Sequence, residues 1–263
     1  MKTKNRPTLK LRRISRNESV LFAYENFFHD LKTPLAIIYS YLQILENESD
    51  MPEQALGHID EVKKNWFRMT KLINDAGDRA RINGGALIPK FKNVELVALL
   101  KETAEATKTL AERKNIRLSF ASDAEEKVMA VDRGMFERII LNLLSNAIKY
   151  TDRGGQVRVE LSDRGNKVYL TVTDTGRGIP PEISGKVFDR NAAADQDKSS
   201  GLGLSIVKEL TEILGGRVSI QSGPTGTTVT VKLPVFINDS GQPEKVDNFF
   251  NDNIIQIELS DIY

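Results

Sequence analysis

From Leu21 onward, apolar residues return at every seventh position. Leu21, Phe28, Leu35 and Leu42 mark one place in the repeat, and Tyr24, Leu31, Ile38 and Leu45 mark another three residues later. A period of seven split into three and four draws one seam along an α-helix, so this stretch is committed to helix-on-helix packing. The run "NESDMPE" interrupts the pattern, and Asp50 with Glu53 around Pro52 reads as a turn and the start of a second helix. That helix carries its own seam at Ala55, Ile59, Val62, Trp66, Met69, Ile73, Ala76 and Ala80. Two seamed helices on a short loop make an antiparallel hairpin, and a lone hairpin leaves apolar surface in water. A second copy closing a four-helix bundle resolves this, so the sequence predicts a homodimer. Packing of the pair against the rest of its own chain is the competing solution.

The glycines and proline of "INGGALIPKFKN" end the helical region, and the texture then changes. "VELVALLKETAEATKTLAERKN" reads as a helix, "IRLSFA" and "KVMAV" as strands, and "DRGMFERIILNLLSNAIKYT" as a strongly apolar helix. "QVRVEL" and "KVYLTVTD" alternate Val157, Val159 and Leu161 with Val168, Leu170 and Val172, the two-residue period of a half-buried hairpin. A further helix over 203–214 leads to "RVSIQS" and "TTVTVKLP". The expected fold class is therefore α+β: a helical hairpin forming a dimeric bundle, then one sheet with helices on one face. The expected divisions are a basic segment at 1–17, the hairpin at 18–83, a linker at 84–93, the mixed domain at 94–234 and an acidic tail at 235–263.

A length of 263 residues, with 40% apolar and 28% charged residues, accommodates two such domains. The net charge of +1 supplies no overall field toward nucleic acid, and no nucleic-acid partner is expected. Charge is uneven, however: residues 1–16 carry seven Lys or Arg and no acid, while 235–263 carry six acids against Lys245. Both read as solvated ends. The absence of cysteine excludes disulfides and thiolate metal sites and fits a reducing compartment. The longest uncharged apolar stretch near the N-terminus, 34–45, falls short of the roughly 20 residues of a membrane span. A cytoplasmic location is expected, with membrane attachment only through a segment outside this chain. In the tail, Ile255, Ile257 and Leu259 alternate, which points to an edge strand or to a poorly ordered, loosely docked end.

Within the first helix, "FFHDLKTPL" places His29 immediately after the seam residue Phe28, on the exposed flank. A neutral imidazole, with a reference pKa near 6.5, has one nucleophilic nitrogen. The carboxylate of Asp30 can hold the proton on the other nitrogen and support charge on the ring. Thr33, one turn along, offers a hydroxyl that can orient water. Pro34 has no N–H for the carbonyl of Asp30, so a bend is expected one turn after His29. The same proline can also do no more than shape the bundle. His58, off the seam, reads as an ordinary structural histidine.

The second domain carries a different chemistry. Asn142 and Asn146 lie four apart on one helix face, and amide oxygens suit a hard cation such as Mg²⁺. Lys149 and Tyr150 follow, a phosphate partner and a ring. In "DTGRGIP", Asp174 at a strand end can accept from an exocyclic amine, while Gly176 and Gly178 let the backbone approach a flat base. "GLGLS", with Gly201 and Gly203, opens a helix whose free N–H groups favour phosphate. Between these, residues 180–200 form a candidate lid. Gly223, Gly226 and Thr228 close the set.

In this order, "FFHDLKTPL", "LNLLSNAIKYT", "DTGRGI", "VFDR", "GLGLS" and "GPTGTTVTVKLP" resemble the histidine, asparagine, phenylalanine and glycine boxes of bacterial two-component sensor histidine kinases, over about residues 18–234. The resemblance implies a dimerisation and phosphoacceptor domain followed by a Bergerat-type ATP-binding domain of the class shared with gyrase and Hsp90. By that match His29 is the phosphorylated residue, Asp30 its acid/base neighbour and Thr33 the residue linked to dephosphorylating a response regulator. Asn146, assisted by Asn142, is the Mg²⁺ ligand. Lys149, Tyr150, Phe188, Arg190, Gly201, Gly203 and Thr228 line the nucleotide, and Asp174 reads adenine. The implied function is ATP-dependent autophosphorylation of His29 and transfer to an aspartate of a response regulator, with the linker as a hinge. Asn191 and a run of alanines follow Arg190 where the family has a second aromatic. Two rival readings are a nucleotide-gated interaction module or plain ATPase, and a phosphotransfer or phosphatase protein driven by Thr33.

Overall fold

The computed structural model describes residues 8–48, 51–188, 203–238 and 252–262. The chain divides into two compact units between Ile88 and Pro89.

The first unit is a pair of helices, α1 (Thr8–Glu46) and α2 (Glu53–Asn83). α1 starts well upstream of the expected boundary, because 8–17 holds no glycine or proline to stop it. It continues through Pro34. α2 starts directly after Pro52, with no side-chain cap; Asp50, expected to help start it, lies outside the described residues, as do the side chains of Leu21 and Tyr24. The hairpin core is Leu35, Leu42, Ile59, Trp66 and Phe67. Tyr39 stacks on Trp66 with ring centroids 4.2 Å apart, and the Trp66 indole N–H donates to the Leu35 carbonyl at 2.6 Å. Near the histidine, the Phe28 ring rests over Gly77, where a Cβ would already be in contact at 3.6 Å. Only part of each seam is covered: Ile38, Val62 and Met69 are 45%, 49% and 51% exposed. Phe67 lies off the expected seam and is nonetheless buried, since two aromatics in succession widen the buried stripe of α2.

The second unit contains β1 (Lys92–Glu95), α3 (Leu96–Arg113), β2 (Arg117–Ser122), β3 (Val128–Val131) and α4 (Arg133–Tyr150). These are followed by β4 (Gln156–Asp163), β5 (Lys167–Asp174), the short α5 (Pro181–Ser184) and α6 (Gly203–Ile213). β6 (Arg217–Gly223), β7 (Gly226–Pro234) and α7 (Asp252–Glu258) complete it. Five strands form one sheet in the order β2-β4-β5-β7-β6, antiparallel except for the β2–β4 pair. The period-two residues Val157, Val159, Leu161, Val168, Leu170 and Val172 are all buried, joined by Val229, Val231 and Leu233. Each such side chain removed from water contributes about 1.5–3 kcal/mol before entropy is counted. α3, α4 and α6 cover that face and supply Leu99, Phe136, Ile140, Leu144 and Ile206 to the core.

Three local expectations change. Val94 and Glu95, expected in a helix, form a strand whose Glu95 carboxylate caps α3 through Val97 N and also takes the Lys127 N–H at 2.7 Å. The strand in "KVMAV" pairs with β1 in a separate two-stranded ribbon and does not extend the main sheet. The tail at 252–258 is a helix rather than an edge strand or a loose end, with Ile255 and Leu259 buried. Apolar residues at 255, 259 and 262 have the i, i+4, i+7 spacing of a helix face, which the alternation at 255, 257 and 259 masked. Among the described residues, no helix is long and apolar enough to cross a membrane.

Candidate functional site

His29, Asp30 and Thr33 are all exposed on α1, while Phe28 and Leu31 are half-buried toward the hairpin. The imidazole is therefore open to an incoming electrophile. Thr33 Oγ1 donates to the His29 carbonyl at 3.2 Å, so its proton is used inside the helix and its oxygen lone pairs face outward. Consecutive helical residues do not face each other, and among the described residues no hydrogen bond joins Asp30 to the His29 ring. One turn on, the missing N–H of Pro34 is followed by the Trp66 bond to Leu35, which ties this end of α1 to α2. His58 lies on the exposed face of α2 rather than in a structural niche.

In the second unit, Asp174 ends β5 and is 9% exposed. Its Oδ1 accepts from Gly176 N at 2.8 Å and Thr227 N at 3.2 Å, which fixes the carboxylate and leaves Oδ2 for a ligand. Burial pushes its pKa above the usual carboxylate value, while the two backbone N–H groups pull it back down. The glycines around it are required by backbone approach. A Cβ on Gly176 would lie 2.2 Å from the Tyr150 carbonyl, and one on Gly178, whose φ is +70°, would lie 1.9 Å from the Gly223 carbonyl. Gly226, at φ +139°, would bring a Cβ to 1.9 Å from the Asp174 carbonyl. Ser222, which the sequence reading did not select, pins this loop by accepting from Ile179 N at 2.8 Å and pairing with Thr227 Oγ1 at 2.9 Å.

Thr228 is not brought to Asp174. Thr227 is the register partner of Asp174, so Thr228 faces the opposite side of the sheet, where its hydroxyl bonds Thr173 Oγ1 at 3.2 Å. A shift of one residue in a strand exchanges faces. The residue beside Asp174 is therefore Thr227.

On α4, Asn142 is 2% exposed and its Nδ2 donates to the Arg138 carbonyl at 2.9 Å. A Cβ on Gly203 would sit 3.0 Å from Asn142 Oδ1 and 3.5 Å from Asn146 Nδ2, so the first turn of α6 packs directly on these amides. Asn146 is less buried. At the C-terminal end of α4, a cleft of about 250 Å³ is lined by Lys149, Tyr150, Asp152 and Arg177. Lys149 Nζ and the Arg177 guanidinium lie 5.1 Å and 5.2 Å from the centre of the Tyr150 ring. Two cations converge on one aromatic side chain, an arrangement suited to a base-and-phosphate ligand. Arg177 went unselected from the sequence because it stands between two glycines that carried the reading. Phe188 is half-buried in the turns after α5; Arg190 and Gly201 lie outside the described residues.

Residues 131–237 match the family of histidine kinase-, DNA gyrase B- and HSP90-like ATPases, and residues 26–85 match the His Kinase A (phospho-acceptor) domain. The chain carries the catalytic core of a two-component sensor histidine kinase. The sensor histidine kinase YvrG of Bacillus subtilis is 33% identical to this kinase core over 236 residues, covering 85% of the chain and 41% of YvrG. The crystal structure of full-length ShkA in complex with AMPPNP superposes with a TM-score of 0.69 at 27% identity, over 82% of this chain and 46% of ShkA. The fold also matches histidine kinase ThkA, solved in complex with response regulator protein TrrA, with a TM-score of 0.56 at 21% identity over 89% of this chain and 68% of that one. The chain spans less than half the length of the curated relatives it matches.

Proposed function

We propose that this core binds MgATP between Asp174 and the neighbouring cleft at the end of α4, phosphorylates itself on His29 and passes the phosphoryl group to an aspartate of a response regulator. The observation that carries the reading is that one chain holds both an exposed imidazole on a seamed helical hairpin and a buried, backbone-fixed carboxylate ringed by obligatory glycines. Asp174 Oδ2 accepts the adenine amino group, Tyr150 offers its ring to the base, and Lys149 with Arg177 offsets phosphate charge. Nδ2 of Asn142 is committed to a carbonyl, so Asn146 is the amide ligand for Mg²⁺ and Asn142 seats α6 beneath it. Mg²⁺ takes few protein ligands and completes its octahedron with phosphate and water, so one amide oxygen is a sufficient protein contribution. Held by Asn146, a Mg²⁺ ion would supply charge compensation for the phosphates.

His29 supplies the nucleophilic nitrogen; Asp30 offsets the positive charge that forms on the ring. The γ-phosphoryl bond to ATP breaks as the bond to the ring nitrogen forms, leaving ADP. Segment 84–93 serves as the hinge for this encounter. The exposed stripe of Ile38, Val62 and Met69 is the surface for a second copy, and the oxygen of Thr33 positions the water for dephosphorylation of the regulator. The solved complex of ThkA with a response regulator supports a partner of that kind. Incubation with γ-labelled ATP tests the reading: His29→Gln abolishes acid-labile label and keeps ATP binding, and label that persists in this variant refutes it.

A further inference from the structure

The acidic C-terminal segment lies outside the nucleotide machinery, yet its helix is firmly seated. Ile255 is 3% exposed and Leu259 fully buried, packed with Leu110 of α3 and Leu141 of α4, with Ala106 and Ile262 beside them. Glu258, on the same face of α7, is 6% exposed, and its Oε1 lies 4.0 Å from Arg138 Nη1. A carboxylate goes into such a place only against a cation, since removing one partner strands the other. All these contacts on α4 fall on the turn 138–142. That same turn ends at Asn142, whose Nδ2 is tied to the Arg138 carbonyl and whose Oδ1 faces Gly203 at the start of α6.

We propose that α7 is a positioning clamp for the nucleotide site: by seating Ile255, Glu258 and Leu259 on α3 and α4 it holds the turn that places Asn142, and through it the Asn146 face and the first turn of α6. The proposal rests on the reading that this face receives MgATP. It predicts coupling of tail docking to the magnesium end of the nucleotide, with little effect on the adenine end, because Asp174 is fixed separately by Gly176 and Thr227. Coupling between linked sites commonly spans about 5- to 150-fold in affinity.

The test uses the full chain with Leu259→Asp, which sets a carboxylate against Leu110 and Leu141, the conservative Leu259→Met, and Glu258→Gln, which keeps shape and removes charge. Affinity for a non-hydrolysable ATP analogue is measured with and without Mg²⁺, and amide exchange is followed over 138–146 and 252–262 in nucleotide-free protein. The expected result for Leu259→Asp is faster exchange in both segments and about 5-fold or greater weakening with Mg²⁺, but a smaller change without it. Glu258→Gln moves the same way to a lesser degree, and Leu259→Met behaves as wild type. The clamp is overturned if Leu259→Asp frees 252–262 while leaving 138–146 and both affinities unchanged. It is equally overturned if both affinities fall together with the melting temperature, the mark of a merely structural cover. Wild-type protein that binds no analogue sinks the nucleotide reading itself, a different result from wild-type binding that the substitution does not alter.

Discussion

Replacing Asp174 by Asn changes one atom and inverts the chemistry offered to a purine. The two backbone N–H groups of Gly176 and Thr227 already point at Oδ1, so the amide oxygen of the variant must take that position. Its NH₂ group then stands where Oδ2 stood, a donor facing the donor amine of adenine. A hydrogen bond to a charged partner contributes about 1.5–3 kcal/mol, which corresponds to roughly 10- to 150-fold in dissociation constant. The fold should tolerate the change, because both backbone bonds survive and a desolvated charge is removed. Calorimetric titration with ATP and with ITP, whose ring carries an acceptor in place of the amine, separates the cases: ATP weakens by that factor while ITP holds or gains. An unchanged ATP-to-ITP ratio would refute the assignment of Asp174 as the base reader. The pH profile adds a second check. Burial raises the folded-state pKa of Asp174 above the ordinary 3.8, so its ionised form is the costly one. Its contribution to stability is greatest below 3.8 and declines as pH rises through the raised value. Nucleotide affinity runs oppositely: it falls as pH drops through the raised value, because protonation removes the acceptor, and the Asn variant lacks this component.

Gly178→Ala should destabilise the second unit by about 3 kcal/mol or more in denaturant titration, combining a positive φ with the clash against Gly223. Gly165→Ala in the same unit, at φ +72° with nothing within 4 Å, should cost only about 1 kcal/mol and serves as the control. Trp66→Phe removes the 2.6 Å bond to Leu35 and some packing against Tyr39, for an expected loss of about 1–3 kcal/mol in the helical hairpin followed by far-UV circular dichroism. Met69→Asp, at a residue 51% exposed in the single chain, should shift the protein toward monomer in sedimentation with little loss of helix content. An unaltered mass distribution would place the dimer surface elsewhere.

Much of this was legible from spacing because the two periods are local. A seven-residue repeat at 28, 35 and 42 or a two-residue repeat at 168, 170 and 172 needs no knowledge of distant residues, and neither does the positive-φ tolerance of glycine in "DTGRG". Asp174 and Gly178 could be singled out for that reason. The errors have a common origin in events beyond the local window. Alternation at 255, 257 and 259 suits a strand as well as it suits a helix at 255, 259 and 262; the buried surface of Leu110 and Leu141 decided between them. That Thr227, and not Thr228, stands opposite Asp174 is a question of register, settled by the pairing of β5 with β7.

What the amino-acid order determined alone was the kind of those elements with an unambiguous period, the turn positions around the glycines and the inventory of reactive groups, since these follow from side-chain period, backbone freedom and functional-group chemistry. Which oxygen of Asp174 remains available, which asparagine is enclosed, where Arg177 comes to rest over Tyr150 and what the C-terminal helix covers were decided only in the tertiary structure. The reason is geometric: each of those outcomes depends on atoms brought together from separate parts of the chain, and burial, hydrogen-bond direction and register exist only once those parts have met.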